Sequence, residues 1–138
     1  MARYTFIFGL FFFLTSCSTE EERPLPYVRV DFSIPMSINL AAGTPEKVRQ
    51  GHVGYNMNGV IIVPEGIAGN VFLAYDATCT RNLEAEASSI NVVNDLTATC
   101  PRCSTVYHLR TGGFSTDGRS RLQRYRATFQ NNRIYVEN

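Results

Sequence analysis

Three cysteines carry the most legible chemistry in this 138-residue chain: Cys79 in "DATCTRN", Asp76 to Asn82, and Cys100 and Cys103 in "TATCPRCSTVYHLRTG", Thr97 to Gly112. Thiolates pair as disulfides, exchange with other thiols or bind thiophilic metals. An odd set of three means either one pair plus a free thiol or all three on one metal. Cys100-Pro101-Arg102-Cys103 has the Cys-Pro-x-Cys form of a zinc or rubredoxin-type knuckle, with Cys79 as a third thiolate. The fourth ligand is open between His108, His52, Asp76 and a thiolate from another molecule. Neighbouring residues on a strand point to opposite faces, so if Tyr107 faces the core, His108 faces solvent; His52 is remote in sequence. Exchange at Cys100-x-x-Cys103 would draw on Arg102 and Arg81, whose charge favours the thiolate. Against it, no helix follows the motif, so the helix N-terminus that activates thioredoxin-type cysteines is missing.

Other polar groupings carry weaker signals. Arg119, Arg121, Arg124 and Arg126 form a basic cluster, with Arg124 and Arg126 on the strand face opposite Tyr125, Ala127 and Phe129. Such a row either docks an acidic partner or is the solvated face of an edge strand. Glu84 and Glu86 are two apart, without the apolar surroundings that would perturb a catalytic carboxylate. The chain has no Ser-His-Asp arrangement, Gly-rich phosphate loop or HExxH motif.

The elements that must position these residues read as short strands. Val28 to Ile34 alternates apolar and polar at period two, and Ser37 to Leu40 extends it beyond Pro35. Gly59 to Val63 is a β-branched run stopped by Pro64-Glu65-Gly66, and Val71 to Tyr75 completes a hairpin. Ile90–Val93, Leu96–Thr99, Val106–Leu109 and Leu122–Phe129 are further strands; Asn131-Asn132 turns the last back into Arg133–Val136, since Asn tolerates positive φ. Glu84 to Ile90 alone has mild helical preference. Many short strands with almost no helix predict a small all-β antiparallel sandwich or barrel.

The N-terminus reads as an export signal: one charge, Arg3, then an apolar run from Phe6 to Leu14, too short for a membrane-spanning helix, which needs ~20 apolar residues. Leu14-Thr15-Ser16-Cys17 resembles the lipobox of bacterial lipoproteins, which implies cleavage after residue 16 and acylation of Cys17; the alternative is a soluble secreted protein that discards Cys17. Ser18-Thr19-Glu20-Glu21-Glu22 resembles the surface-export signal of lipoproteins from the Bacteroidota, and is equally a solvated tether. The expected location is the outer membrane, lipid-anchored, facing the cell surface. Residues 17–26 are the tether, with Pro24 and Pro26 keeping it extended, and one domain follows from near Tyr27 to Asn138. Removing Arg3 from the 13 Lys+Arg leaves twelve against 12 Asp+Glu, a balance that argues against nucleic acid as a partner.

From about Gly51 to Asn138 the order of parts resembles the Rieske iron–sulfur domain, in a lipoprotein form found in Bacteroidota. The resemblance is carried by "FLAYDATCTR", "TATCPRCS", "VYHLRTGGF", the turn at Asp117-Gly118 and the terminal hairpin "LQRYRATFQNNRIYVEN", with Tyr107 and Gly112 keeping the family's aromatic-to-Gly spacing. It implies a Rieske-like β fold with two cysteine loops and a [2Fe–2S] cluster held by two thiolates and two imidazoles. Matched residue by residue, Cys79 and Cys100 stand at the thiolate positions, Arg81 at the first histidine and Cys103 at the second. Arg81 offers no lone pair to a metal, and Gly118-Arg119-Ser120-Arg121 lacks the family's shielding Pro loop. If the loops pack as in the fold, a disulfide from Cys79 to Cys100 or Cys103 closes some twenty residues and contributes ~3 kcal/mol. The reading is therefore a non-enzymatic outer-membrane module without a cofactor, its cysteines a structural clasp. The alternative is an electron-transfer protein binding an iron–sulfur cluster, iron or zinc through Cys79, Cys100 and Cys103.

Overall fold

The computed structural model describes residues 23–66, 69–81, 83 and 88–138. Among the described residues nine strands run in order: β1 (Asp31–Pro35), β2 (Glu46–Val48), β3 (Val60–Glu65), β4 (Val71–Asp76), β5 (Asn91–Val92), β6 (Thr97–Thr99), β7 (Val106–His108), β8 (Arg124–Gln130) and β9 (Arg133–Glu137). A curled sheet takes six of them in the order β1-β9-β8-β4-β3-β2, and a smaller sheet takes β5-β6-β7; every pairing is antiparallel. The fold is all-β, as expected. Among the described residues, no helix is long and apolar enough to cross a membrane.

The β3–β4 hairpin is the central wall. Its run Val60-Ile61-Ile62-Val63 is apolar at every position because both faces are covered, and all four residues are 0% exposed. Val60, Ile62, Phe72 and Ala74 face one core with Leu40, Tyr125, Ile134 and Val136. Ile61, Val63, Leu73 and Tyr75 face the other, which holds Cys79, Cys100, Tyr107, Leu109 and Leu122. The strand continues through Pro64, which pairs with Phe72. β2 pairs with β3 only as far as Ile62, so the missing N–H interrupts no ladder on that side.

Several expectations change. Ser37–Leu40 does not prolong β1: Ile38–Ala41 forms a helical turn, α1, capped by the Ser37 hydroxyl, which accepts from the Leu40 N–H at 3.1 Å. Of the stretch read as mildly helical, Ser88–Ile90 runs extended against Ala77–Cys79, with Ser89 bridging Thr78; Glu84 and Glu86 lie outside the described residues, as do Cys17 and the lipobox. β8 is interior to its sheet, so Arg124 and Arg126 do not guard an edge; they do lie opposite Tyr125 and Ala127 as the alternation requires. Asn131 and Asn132, at φ 51° and 58°, make the terminal turn.

Arg110, just beyond β7, ties two loops and the end of β3 to one guanidinium. It donates to the carbonyls of Asp95 (3.0 Å), Pro64 (2.7 Å) and Gly43 (2.9 Å), fixing the small sheet against the end of β3.

Candidate functional site: a three-thiol pocket

β6 and β7 form a hairpin whose turn is the knuckle itself. The Cys100 N–H donates to Thr105 O (2.9 Å) and the Ser104 N–H to Cys100 O (2.9 Å), with Ser104 at φ 58°. Cys79 arrives from the opposite side, in the segment leaving β4, held by its N–H to Ser88 O at 2.8 Å. The three Sγ atoms lie within 4.8 Å of one another, and Cys79 and Cys103 are 3.6 Å apart. Cys79 and Cys100 are 2% and 1% exposed; Cys103 is half-buried. All three are free thiols in hydrogen-bonding contact with one another.

Hydroxyl groups surround the sulfurs. Tyr107 Oη lies 3.4 Å from Cys79 Sγ and accepts the Thr80 N–H at 3.3 Å, while Thr105 Oγ1 sits 3.0 Å from Cys103 Sγ. Thr80 Oγ1 donates to Arg121 O at 2.8 Å, joining the Cys79 loop to the segment before β8. Burial pushes the Cys79 thiol up to about 11, against the hydrogen bond from Tyr107. Burial also acts to raise Cys103, but hydrogen bonds from Thr105, Cys79 and Cys100 outweigh it and bring that thiol down to about 7. Of Cys79 and Cys103, Cys103 is therefore the one that ionises more readily.

Arg81 points away from any ligand role. Its Nη1 lies 2.6 Å from Asp117 Oδ2, on the loop that the Rieske pattern would fill with a shielding proline. Asp117 is held by the Ser115 hydroxyl (2.7 Å) and the Arg119 N–H (3.1 Å). These two bonds, followed by Arg81, hold its carboxyl down at about 2. The ion pair is partly exposed and adds no donor to the three sulfurs.

The proposed fourth ligands are elsewhere. Tyr107 is fully buried, and His108 turns outward, as the alternation requires, with Nε2 3.3 Å from Thr116 Oγ1. His52 is exposed. Asp76 is buried, but its Oδ2 accepts the Tyr55 N–H and the Tyr125 O–H, each at 2.6 Å, at the end of β4. Among the described residues, no imidazole or carboxylate joins the three sulfurs. A cluster of two thiolates and two imidazoles does not fit these residues: Arg81 is engaged with Asp117, and Cys103 supplies sulfur where nitrogen is required.

Sequence reasoning missed Thr80 and Thr105, and valued Tyr107 only for its spacing. Thr80 and Thr105 each lie within two residues of a cysteine, and that adjacency was the available signal.

No protein-family model matches the chain, and neither does any curated protein. Among solved structures it matches the cyanobacterial plasma membrane Rieske protein PetC3 from Synechocystis PCC 6803. That match has a TM-score of 0.54 and 23% identity, and covers 81% of this chain and 100% of that one. At this identity the likeness establishes a Rieske-like fold.

Proposed function

We propose that the protein is a non-enzymatic lipoprotein, anchored through an acylated Cys17 in the outer membrane and facing the cell surface, whose Rieske-like domain holds one thiophilic metal ion on Cys79, Cys100 and Cys103. The observation that carries this reading is the convergence of three sulfurs within 4.8 Å, two of them buried. A disulfide clasp needs two sulfurs and gives no reason for the third to converge. Around a tetrahedral ion with Zn–S bonds of about 2.3 Å, sulfurs lie roughly 3.8 Å apart, close to the 3.6 Å between Cys79 and Cys103. Zinc or a single iron suits such a donor set, with the fourth position left to a small molecule or a partner's side chain. An iron occupant would supply one-electron chemistry, in keeping with an electron-transfer role. The chain's own contribution is the three sulfurs, the Tyr107 and Thr105 hydroxyls orienting Cys79 and Cys103, and the apolar wall of Ile61, Tyr75 and Leu109 that excludes water.

The 3.6 Å contact favours a second reading, in which Cys79 and Cys103 close a disulfide and leave Cys100 free. One experiment separates the two: metal analysis with thiol titration of the full chain purified without oxygen. One metal per chain, with three thiols reacting only after chelation, supports the metal centre. No metal and a single reactive thiol supports the clasp. Two irons with inorganic sulfide would overturn both.

A further inference from the structure

We propose that a basic groove beside the thiol pocket docks an acidic peptide segment of a partner protein. A cavity of about 820 Å³ opens between the Arg23-Pro24 segment, the Gly112–Phe114 loop and β8, with Arg23, Arg121, Arg124 and Arg126 in its walls. Among the described residues its one acid, Glu137, is paired with Arg126 at 2.5 Å, and the other charged groups in its wall are arginines. A second cavity of about 410 Å³ shares Arg23, Pro24, Phe114 and Arg121 with the first, adds Arg119, and ends at Thr80.

The whole chain carries a net charge of only +1, so five arginines along one depression are a local concentration of charge. Planar guanidiniums bind carboxylates in bidentate fashion, and several in a row suit a ligand with several anions. The larger cavity lies in the ~300–1,000 Å³ range of ligand sites, far more than one carboxylate fills. Phe114, 46% exposed in the wall common to both cavities, offers an apolar anchor between the charges. A concave site with an aromatic in its wall fits a peptide segment better than a flat headgroup layer, and balanced overall charge disfavours nucleic acid. A segment lying here would reach Thr80, whose backbone N–H meets Tyr107 Oη at 3.3 Å, and Tyr107 in turn touches Cys79 Sγ. The partner would sit beside the thiol pocket, although docking itself needs no metal.

The test is fluorescence anisotropy of the full chain in detergent with a labelled decapeptide of alternating Glu and Phe. Its Gln counterpart, an oligonucleotide and phosphatidylglycerol vesicles are run in parallel. Saturable binding of the Glu peptide is expected, weakening at least ~10-fold in Arg124→Glu and falling with salt. Arg133→Ala, an arginine on β9 bonded to Ser33 and outside the groove, should bind as the parent does, and circular dichroism verifies that both variants are folded. Three results would overturn the proposal: no saturation by the Glu peptide at low salt, equal binding of the Gln peptide, or unchanged affinity in folded Arg124→Glu. Tighter binding of vesicles or oligonucleotide than of the Glu peptide would also overturn it.

Discussion

On one side of the β3–β4 hairpin, Val60, Ile62, Phe72 and Ala74 pack against α1, β8 and β9 in a largely hydrocarbon core that includes the tilted aromatic pair Phe72 and Phe129 at 5.7 Å. On the other, Ile61, Val63, Leu73 and Tyr75 pack against three thiols and a tyrosine hydroxyl. The same four-residue apolar run serves both. The first core gains its stability mainly from apolar burial, with the Tyr125 O–H to Asp76 bond at its border, whereas the second gives up packing uniformity for three sulfur donors. Within one small domain, holding the fold and holding a site are divided between the two faces of one hairpin.

Truncating Ile62 to Ala should test the hydrocarbon side most severely. A fully buried Ile→Ala change costs ~2–5 kcal/mol, read by urea unfolding, with metal stoichiometry of the folded fraction unchanged. Cys100→Ser should do the reverse. It lowers affinity for zinc or cadmium by ~100-fold or more, about 2.7 kcal/mol, in a chelator competition, while the metal-free protein loses ~1 kcal/mol or less. If Cys100→Ser leaves affinity intact, the division between faces fails on the thiol side.

Hydrogen-bonded hydroxyls allow a finer contrast. Tyr125→Phe removes a donor from the buried Asp76 carboxylate and should cost ~1–3 kcal/mol. Tyr107→Phe should cost ~1 kcal/mol in stability and change the rate at which Cys79 reacts with a thiol reagent, which Tyr125→Phe should not. The smallest effect is a slope with pH. Burial raises the Asp76 pKa above its ordinary 3.8, opposed by hydrogen bonds from Thr78, Tyr125 and Tyr55. In that window the folded state holds more protons than the unfolded, so this group adds nothing unfavourable below 3.8 and costs stability as pH rises through its folded value. The difference in unfolding free energy between the parent and Asp76→Asn should therefore shift in favour of Asn as pH rises from 4 to 7, and a flat difference would remove Asp76 from the account.

Period-two alternation was enough to identify the terminal hairpin, the Val30-Phe32-Ile34 face and the outward turn of His108. The resemblance to Rieske domains placed Cys79 opposite Cys100 and Cys103, and the structure brings the three together. β2 escaped notice because Glu46-Lys47-Val48 offers one buried side chain and two amphiphilic ones; what holds it is tertiary, with Lys47 Nζ donating to Ser89 Oγ (2.5 Å) and Ile90 O (2.6 Å). Ser37–Leu40 was misjudged because a hydroxyl able to cap a turn was weighed less than the strand before it. Arg110 could not be anticipated at all, since its three carbonyl partners lie up to 67 residues away.

The uniform apolarity of β3 leaves one matter to polar chemistry. In most half-buried strands a slip of one position exposes oil to water and is rejected at once. Sliding Val60-Ile61-Ile62-Val63 by one against β4 would merely exchange the linings of two dry cores, with little change in buried hydrocarbon. Alignment is instead indexed at the end of the hairpin. There Val60 stands opposite Asp76, whose carboxylate takes the Tyr55 N–H and the Tyr125 O–H, and Gly54 and Gly59, at φ 84° and 99°, leave no room for a Cβ. Asp76 thus acts as the detent of a ratchet: a fully buried carboxyl holds a strand pair whose apolar side chains cannot tell one setting from the next.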